Sequence, residues 1–319
     1  MDLFEAKNIK PMLIGATGEP FDDPDYLYEL KLDGERCIAY LDPAGGTVLR
    51  NKRNRNMLPL IPELARIHLQ VSRRCVLDGE LIVIKDGMPN FFEIQRRSLM
   101  SNEFSIRVAS SRLPASFIAF DLLYDQDQQI THLPLVERKG RLEKILSEDE
   151  RIAISRTIEN QGMEFYQLTS EQGLEGIVAK RKDSRYYLDR RTKDWIKIKN
   201  LQEEEFVICG YLEKEKGVVS LVLGKNDGVQ TPESNQRALR YQGHVTLGVS
   251  SLAWQHIQAA KRSRAHPFAQ EPPRGNERAV WLVPHLVCTV TYMMKTSGGS
   301  MRQPVFKGLR LDKSQHEVF

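Results

Sequence analysis

A mixed α+β domain followed by a small antiparallel β-barrel is the fold class that this 319-residue sequence predicts. Short apolar or alternating runs bounded by Gly, Asp and Pro fill the first part of the chain, with one helical period among them. The polar cluster Gln202-Glu203-Glu204-Glu205 then marks a change to short strands and glycine-rich turns. A chain with 41% hydrophobic and 28% charged residues can bury one or two cores, and two globular domains are expected, 1–202 and 203–319.

In the first domain, Tyr26–Lys31, Val76–Ile84, Phe117–Tyr124 and Trp195–Lys199 read as strands. Leu135, Leu142, Ile145 and Leu146 recur at helical spacing with charges on the other face, so 135–146 reads as a helix in spite of Gly140. In the second, Phe206–Tyr211, Val218–Leu223, Tyr241–Leu247 and Leu286–Tyr292 read as strands, with one helix from near Ser251 toward Arg264. Evenly spaced short strands of this kind fit a small closed barrel.

Composition narrows the class. The N-terminus lacks a basic patch followed by an apolar core, and no segment approaches the roughly 20 apolar residues of a membrane helix, so a cytoplasmic protein is expected. Cys37, Cys75, Cys209 and Cys288 never form a CxxC pair, which excludes a zinc ribbon and a disulfide framework. The net charge of +4 permits nucleic-acid binding without requiring it. Basic residues concentrate in Arg50-Asn51-Lys52-Arg53-Asn54-Arg55 and between Lys180 and Lys193. Each reads as a solvated loop or as a phosphate contact.

The chemistry centres on Lys31-Leu32-Asp33-Gly34-Glu35-Arg36, just after a strand. A KxDGxR pattern arises by chance about once in a few hundred chains of this length. Lysine attacks phosphorus only as a neutral amine, so its site must disfavour the ammonium by desolvation or by neighbouring cations. Period two in Trp195-Ile196-Lys197-Ile198-Lys199 puts Trp195, Lys197 and Lys199 on one strand face. Two lysines there offer charge to a phosphate and, by repulsion, help keep a nearby Lys31 neutral. Val76-Leu77-Asp78-Gly79-Glu80-Leu81 and Leu174-Glu175-Gly176-Ile177-Val178-Ala179-Lys180 bring carboxylates to apolar strands. Glu80 and Glu175 are thus candidates for magnesium, sugar or lysine contacts, or for structural ion pairs. In Phe120-Asp121-Leu122-Leu123, alternation sends Phe120 and Asp121 to opposite faces. Phe306-Lys307-Gly308-Leu309-Arg310-Leu311-Asp312-Lys313 is a second basic cluster, and phosphoryl transfer needs cations on the leaving group as well as on the transferred phosphate.

In this order the KxDGxR, DGE, FDLL, EGIVAK, WIKIK and FKGLRxDK elements resemble the nucleotidyl transferase motifs of ATP-dependent DNA ligases, RNA ligases and mRNA capping enzymes. The resemblance covers about Pro11 to Lys313 and is closest to the ligase module of bacterial end-joining enzymes, with which Glu19-Pro20-Phe21-Asp22-Asp23-Pro24 also agrees. It implies an ATP-grasp-like adenylation domain followed by an OB-fold. It also implies three steps: Lys31 takes AMP from ATP, AMP passes to the 5′-phosphate of nicked double-stranded DNA, and the 3′-hydroxyl displaces it. With Mg2+ or Mn2+ as cofactor, Glu29 then contacts adenine and Phe120 stacks on it. Arg36 and Arg53 bind the ribose or the nick phosphate, and Arg50 competes with Arg53 for that role. Glu80 serves the ribose or metal and Glu175 the metal, Lys197 and Lys199 touch the α-phosphate, and Arg310 and Lys313 orient pyrophosphate.

A monomer near the nucleoid, acting in repair or recombination with a Ku-like end-binding protein or a repair polymerase, is the implied setting. With 30 residues before Lys31, the extra N-terminal DNA-binding domain of larger ligases is expected to be absent. Departures from the family pattern fall at Leu188-Asp189, where Pro-Gly is usual, and at Thr289 and Thr291, where acidic residues are usual. A capping guanylyltransferase, an RNA ligase, and a non-enzymatic nucleic-acid-binding barrel with a degenerate transferase domain are the alternatives. Each charged catalytic position is intact, which disfavours the last.

Overall fold

The computed structural model describes residues 2–214, 217–230, 237–248, 252–295 and 299–318. The chain divides into two compact units, one ending at Asn200 and one beginning at Leu201. In chain order the first contains α1 (Leu3–Ala6), β1 (Leu13–Thr17), β2 (Tyr26–Leu30), β3 (Glu35–Asp42), β4 (Gly46–Asn51), β5 (Cys75–Lys85), β6 (Met88–Pro89), α2 (Phe91–Ser98) and α3 (Glu103–Arg112). It continues with β7 (Ala115–Asp125), β8 (Gln128–Gln129), α4 (Leu135–Ile145), β9 (Ile152–Ile154), β10 (Thr157–Glu159), α5 (Gly162–Glu171), β11 (Gly176–Arg181) and β12 (Arg191–Lys199).

These strands make two sheets, ordered β1-β12-β11-β2-β10 and β4-β3-β5-β7-β8, with β6 on β5 and β9 on β7. Strand alternation sorts the side chains into layers. Leu27, Val178 and Trp195 of the first sheet meet Ile38, Tyr40, Val76 and Phe120 of the second in a core between the sheets. Tyr28, Ile177, Ala179 and Ile198 face the other way, where Phe165 and Tyr166 of α5 cover them. The far side of the second sheet holds the largest core, with Leu77, Leu81, Phe117, Ile94 of α2 and Leu142 of α4.

Two expectations fail here for physical reasons. The register between β5 and β7 shifts between Asp78 and Gly79, which pair with Asp121 and Ala119, so Phe120 is the extra residue of a β-bulge. Phe120 and Asp121 consequently both join the interior beneath the first sheet. Phe120 packs on Trp195, and Asp121 binds Arg138, whose guanidinium lies over Tyr186, itself packed on Trp195. The charged face of α4 is likewise not wholly solvated. Arg138 is fully buried and Lys139 is 5% exposed, both turned inward onto carboxylates.

Asp189, where the family pattern has glycine, adopts φ +56, the left-handed conformation for which glycine is the usual choice. Its carboxylate binds Lys10 at 3.0 Å.

The second unit contains β13 (Gln202–Lys214), β14 (Val218–Gln230), β15 (Arg237–Gly248), α6 (Leu252–Ala259), β16 (Val280–Trp281), β17 (Val287–Tyr292) and β18 (Val305–Leu309). The sheet order is β15-β14-β13-β17-β18, with β16 on β13, and the end strands β15 and β18 approach each other, rolling the sheet toward a barrel. Trp254 and Ile257 of α6 join its core with Phe206, Leu221 and Val290. Ser251, the expected helix start, lies outside the described residues. The helix stops short of Arg264 because Arg262 bridges to Leu282 and the Ser263 amide donates to the Trp281 carbonyl. Among the described residues no helix is long and apolar enough to cross a membrane.

Arg138 ties several parts of the first unit together. It binds Asp121 through two bonds of 2.7 and 2.8 Å and donates to the carbonyls of Leu133 and Ser184. Arg138→Met leaves Asp121 charged and unpaired in the interior, and the expected loss is about 3–5 kcal/mol. Equilibrium denaturation in urea measures it; a loss below about 1 kcal/mol would contradict this reading of the pair.

Candidate active site

A cleft opens between the two sheets of the first unit, lined by Ile14, Glu29, Lys31, Arg36, Glu80, Phe120, Lys180 and Trp195. Lys31 follows the last residue of β2, and its amide donates to the Gly176 carbonyl at 2.9 Å, fixing the chain where the strand ends. Gly34 then passes so close to β5 that a Cβ would stand 2.1 Å from the Leu81 carbonyl oxygen, so only glycine fits this turn.

The Lys31 Nζ lies 2.9 Å from Glu175 Oε1, and Lys199 Nζ lies 3.7 Å from the same oxygen. The Glu175 side chain is 5% exposed. The lysine contact that was one of the expected uses of Glu175 is present, and it sets a carboxylate between Lys31 and Lys199, the neighbouring cation expected to help keep Lys31 neutral. Lys197, two residues along β12, pairs in register with Val178 and Thr17.

Arg36 donates to Asp78 through Nε at 2.6 Å and Nη2 at 2.5 Å, and from Nη2 to the Met12 carbonyl at 3.3 Å. Burial disfavours its charge, but Asp78 outweighs burial and raises the guanidinium's hold on its proton. The Tyr186 hydroxyl donates to Asp78 Oδ2 at 2.5 Å and accepts from the Met12 amide at 3.0 Å. The guanidinium carbon of Arg36 stands 4.5 Å from the Phe120 ring centroid.

Beyond Phe120, the Glu29 carboxylate is 2% exposed and lies between two lysines: Lys139 Nζ at 2.9 Å from one oxygen and Lys180 Nζ at 3.0 Å from the other. Burial alone raises the Glu29 carboxyl, but Lys180 and Lys139 outweigh it and hold the group below its usual range. Burial pushes the Lys180 ammonium down to about 8 against the pull of Glu29. Lys180 also lies 4.4 Å from the Phe120 ring and 4.2 Å from that of Trp195. Lys139 went unread in the sequence, where it is one charge among several on an amphipathic helix.

Burial pushes Glu80 up to about 8; Arg36 and Lys31 oppose the shift, while Asp78 and Glu175 add to it. Among the described residues no cluster of three or more His, Cys, Asp or Glu side chains forms a ready metal cage. Two hard oxygen donors nevertheless lie by Lys31: Glu80 lines the cleft, and Glu175 contacts the Lys31 ammonium and adds to the upward shift of Glu80. That donor set suits a magnesium-like ion that takes its remaining ligands from phosphate and water.

A second groove runs from Gly34 and Arg36 past Asn51, Lys52, Arg53 and Arg55 to α2. Asn51 donates to Glu35 at 2.8 Å and accepts from the amides of Arg53 and Arg55, and Glu35 also binds Ser98. Arg53 is exposed on this rim, whereas Arg50 turns back onto the Asn54 carbonyl at 3.3 Å. In the second unit, Arg310 binds Glu205 and Asp312, and Lys313 binds Glu205 at 2.7 Å. Thr289 and Thr291 sit on β17 opposite Glu205 and Glu203.

Because the folded-state value of Glu80 lies above its ordinary 4.5, the stability it contributes is complete below about pH 4.5 and is lost as pH rises through 8. Glu80→Gln removes that titration. The variant should gain at least about 1 kcal/mol over wild type between pH 5 and 8, measured by urea denaturation across that range; parallel pH profiles would disprove the assignment.

Residues 11–199 match the family model described as ATP dependent DNA ligase domain, and residues 214–313 match the ATP dependent DNA ligase C terminal region. The multifunctional non-homologous end joining protein LigD of Pseudomonas aeruginosa is 32% identical across 97% of this chain and 36% of its own length. DNA ligase C of Mycobacterium tuberculosis is 33% identical across 86% of this chain and 79% of its own. The chain thus spans well under half of the LigD relatives, 36% of the Pseudomonas protein and 40% of that from Mycobacterium bovis. The solved structure of mycobacterial DNA ligase D complexed with ATP and MES superposes with a TM-score of 0.55 at 27% identity, covering 98% of both chains. A Lig E DNA ligase structure, at 17% identity and a TM-score of 0.59, shares the fold.

Proposed function

Because the chain belongs to the ATP-dependent DNA ligases, we propose that it joins a 5′-phosphate to a 3′-hydroxyl at nicks in double-stranded DNA through a covalent AMP on Lys31. The observation that carries this is the placement of Lys31 Nζ at the cleft beside Phe120, Trp195, Arg36 and Glu80, with Glu175 Oε1 at 2.9 Å. Lysine attacks as a neutral amine, and Glu175 is the acceptor in place for its proton.

In the first step Lys31 Nζ bonds to the α-phosphorus of ATP and the bond to pyrophosphate breaks. Phe120 stacks on adenine and Glu29 meets its edge, while Arg36, already fixed by Asp78, reaches the ribose. Glu80 and Glu175 would hold Mg2+ or Mn2+, which when bound neutralises phosphate oxygens in the transition state. Lys197 and Lys199 supply further positive charge to the α-phosphate, and Arg310 with Lys313 orients pyrophosphate. AMP then passes to the 5′-phosphate of the nick, and the 3′-hydroxyl displaces it. Arg53, on the rim of the basic groove, is the candidate for the nick phosphate.

Domain limits of 1–202 for adenylation and 203–319 for the OB-fold fit this division of labour. The resemblance to the LigD proteins, which are named for non-homologous end joining, supports DNA repair by end joining as the setting. A cytoplasmic monomer associated with the nucleoid, working with a Ku-like end-binding protein, is the arrangement we infer.

Incubation with α-phosphate-labelled ATP and magnesium, followed by denaturing electrophoresis, tests the central claim. Wild type should carry label that nicked DNA removes, and Lys31→Ala should carry none. An unlabelled wild type, or a labelled Lys31→Ala, sinks the proposal. Arg310→Ala should slow self-adenylation by about tenfold or more while leaving sealing of pre-adenylated nicks nearly unchanged. Equal losses in both reactions would remove Arg310 from pyrophosphate handling.

A further inference from the structure

The cleft contains a charge arrangement in which one member, Lys139, belongs to none of the sequence motifs. Glu29 is an almost fully buried carboxylate with an ammonium on each oxygen, and the two ammoniums are not equivalent. Lys180 lines the cleft and lies over the Phe120 and Trp195 rings. Lys139 reaches Glu29 from α4, outside the cleft lining, and donates as well to the backbone carbonyl of Phe120 at 3.4 Å. One side chain thus ties the group at the base edge to the backbone of the group at the base face.

After two ion pairs and a hydrogen bond from the Ser155 hydroxyl the carboxylate still has accepting capacity, and an ionised carboxylate only accepts hydrogen bonds. Only a protonated one donates. Adenine presents an exocyclic N–H donor where guanine presents a carbonyl acceptor. A carboxylate locked as an acceptor in a buried pocket therefore favours the first base and leaves the second facing an unpaired like dipole.

We propose that Lys139 is a positioning residue for base selection, clamping Glu29 as an acceptor so that the pocket takes adenine and turns guanine away. This rests on the reading above that a nucleotide destined for Lys31 occupies the cleft. Without Lys139, Lys180 and the Ser155 hydroxyl are left to hold Glu29, and the carboxyl takes up a proton more readily and so can donate to the guanine carbonyl.

The test compares lysyl-nucleotide formation from α-labelled ATP and GTP by the full chain. In Lys139→Met the ratio of kcat/KM for ATP over GTP should fall at least roughly tenfold, and Lys139→Arg should restore it. A purely structural role would lower both rates together and keep the ratio, which overturns the inference. If Lys139→Met does not fold, Glu29→Gln and the Glu29→Gln/Lys139→Met pair decide. Glu29→Gln alone should lose the preference, and adding Lys139→Met should lower the ratio no further; a retained preference in Glu29→Gln, or a further fall in the pair, refutes the clamp. Wild type labelled by ATP with unchanged ratios in all variants defeats this inference alone. Wild type labelled by neither nucleotide defeats the proposed function together with it.

Discussion

The pairing of Arg36 with Asp78 is the constraint around which the first unit is organised. Arg36 belongs to the strand that follows the nucleophile, Asp78 to the central strand of the other motif, and Tyr186 and Met12 join both to the first sheet through hydrogen bonds of 2.5 to 3.3 Å. A buried bidentate guanidinium–carboxylate pair fixes direction as well as distance. The gap between the sheets, the level of the Phe120 ring beneath Arg36 and the exit of the Lys31 turn all follow from it. Breaking one partner would strand the other charge in the interior, so the geometry is enforced by the penalty for losing it.

Around that anchor the cleft sorts its carboxylates by partner. Asp78 is committed to Arg36, Glu29 to two lysines, and Glu175 to Lys31 with Lys199 nearby. Glu80 alone of the four has no ion-pair partner within the cleft, which is why burial dominates its protonation. An acid with no resident cation, next to one whose cation is the nucleophile, leaves a deficit of positive charge that a substrate-borne divalent ion can fill.

How far the sequence could be read depended on how local the determining physics was. The Lys31 turn needs only a strand end and Gly34, and the period of Trp195 to Lys199 needs only alternation, so both were legible. The paired orientation of Phe120 and Asp121 was not, because a bulge is a property of the partner strand's register and leaves no mark in a single strand's pattern. Lys139 was hidden for a similar reason: on an amphipathic helix a charge reads as solvated until the fold brings Glu29, 110 positions away, to meet it. The role of Glu175 fell between these cases, since a lysine contact was among its possible uses but its position between Lys31 and Lys199 depends on how β11 and β12 pair.

The four cysteines are all fully buried, two in each unit. Burial drives every one of these thiols above its usual proton affinity, so the reactive thiolate is scarce as well as shielded. Alkylation of the native protein must then wait for local opening, and the order in which Cys37, Cys75, Cys209 and Cys288 become labelled is a built-in record of which layers breathe first.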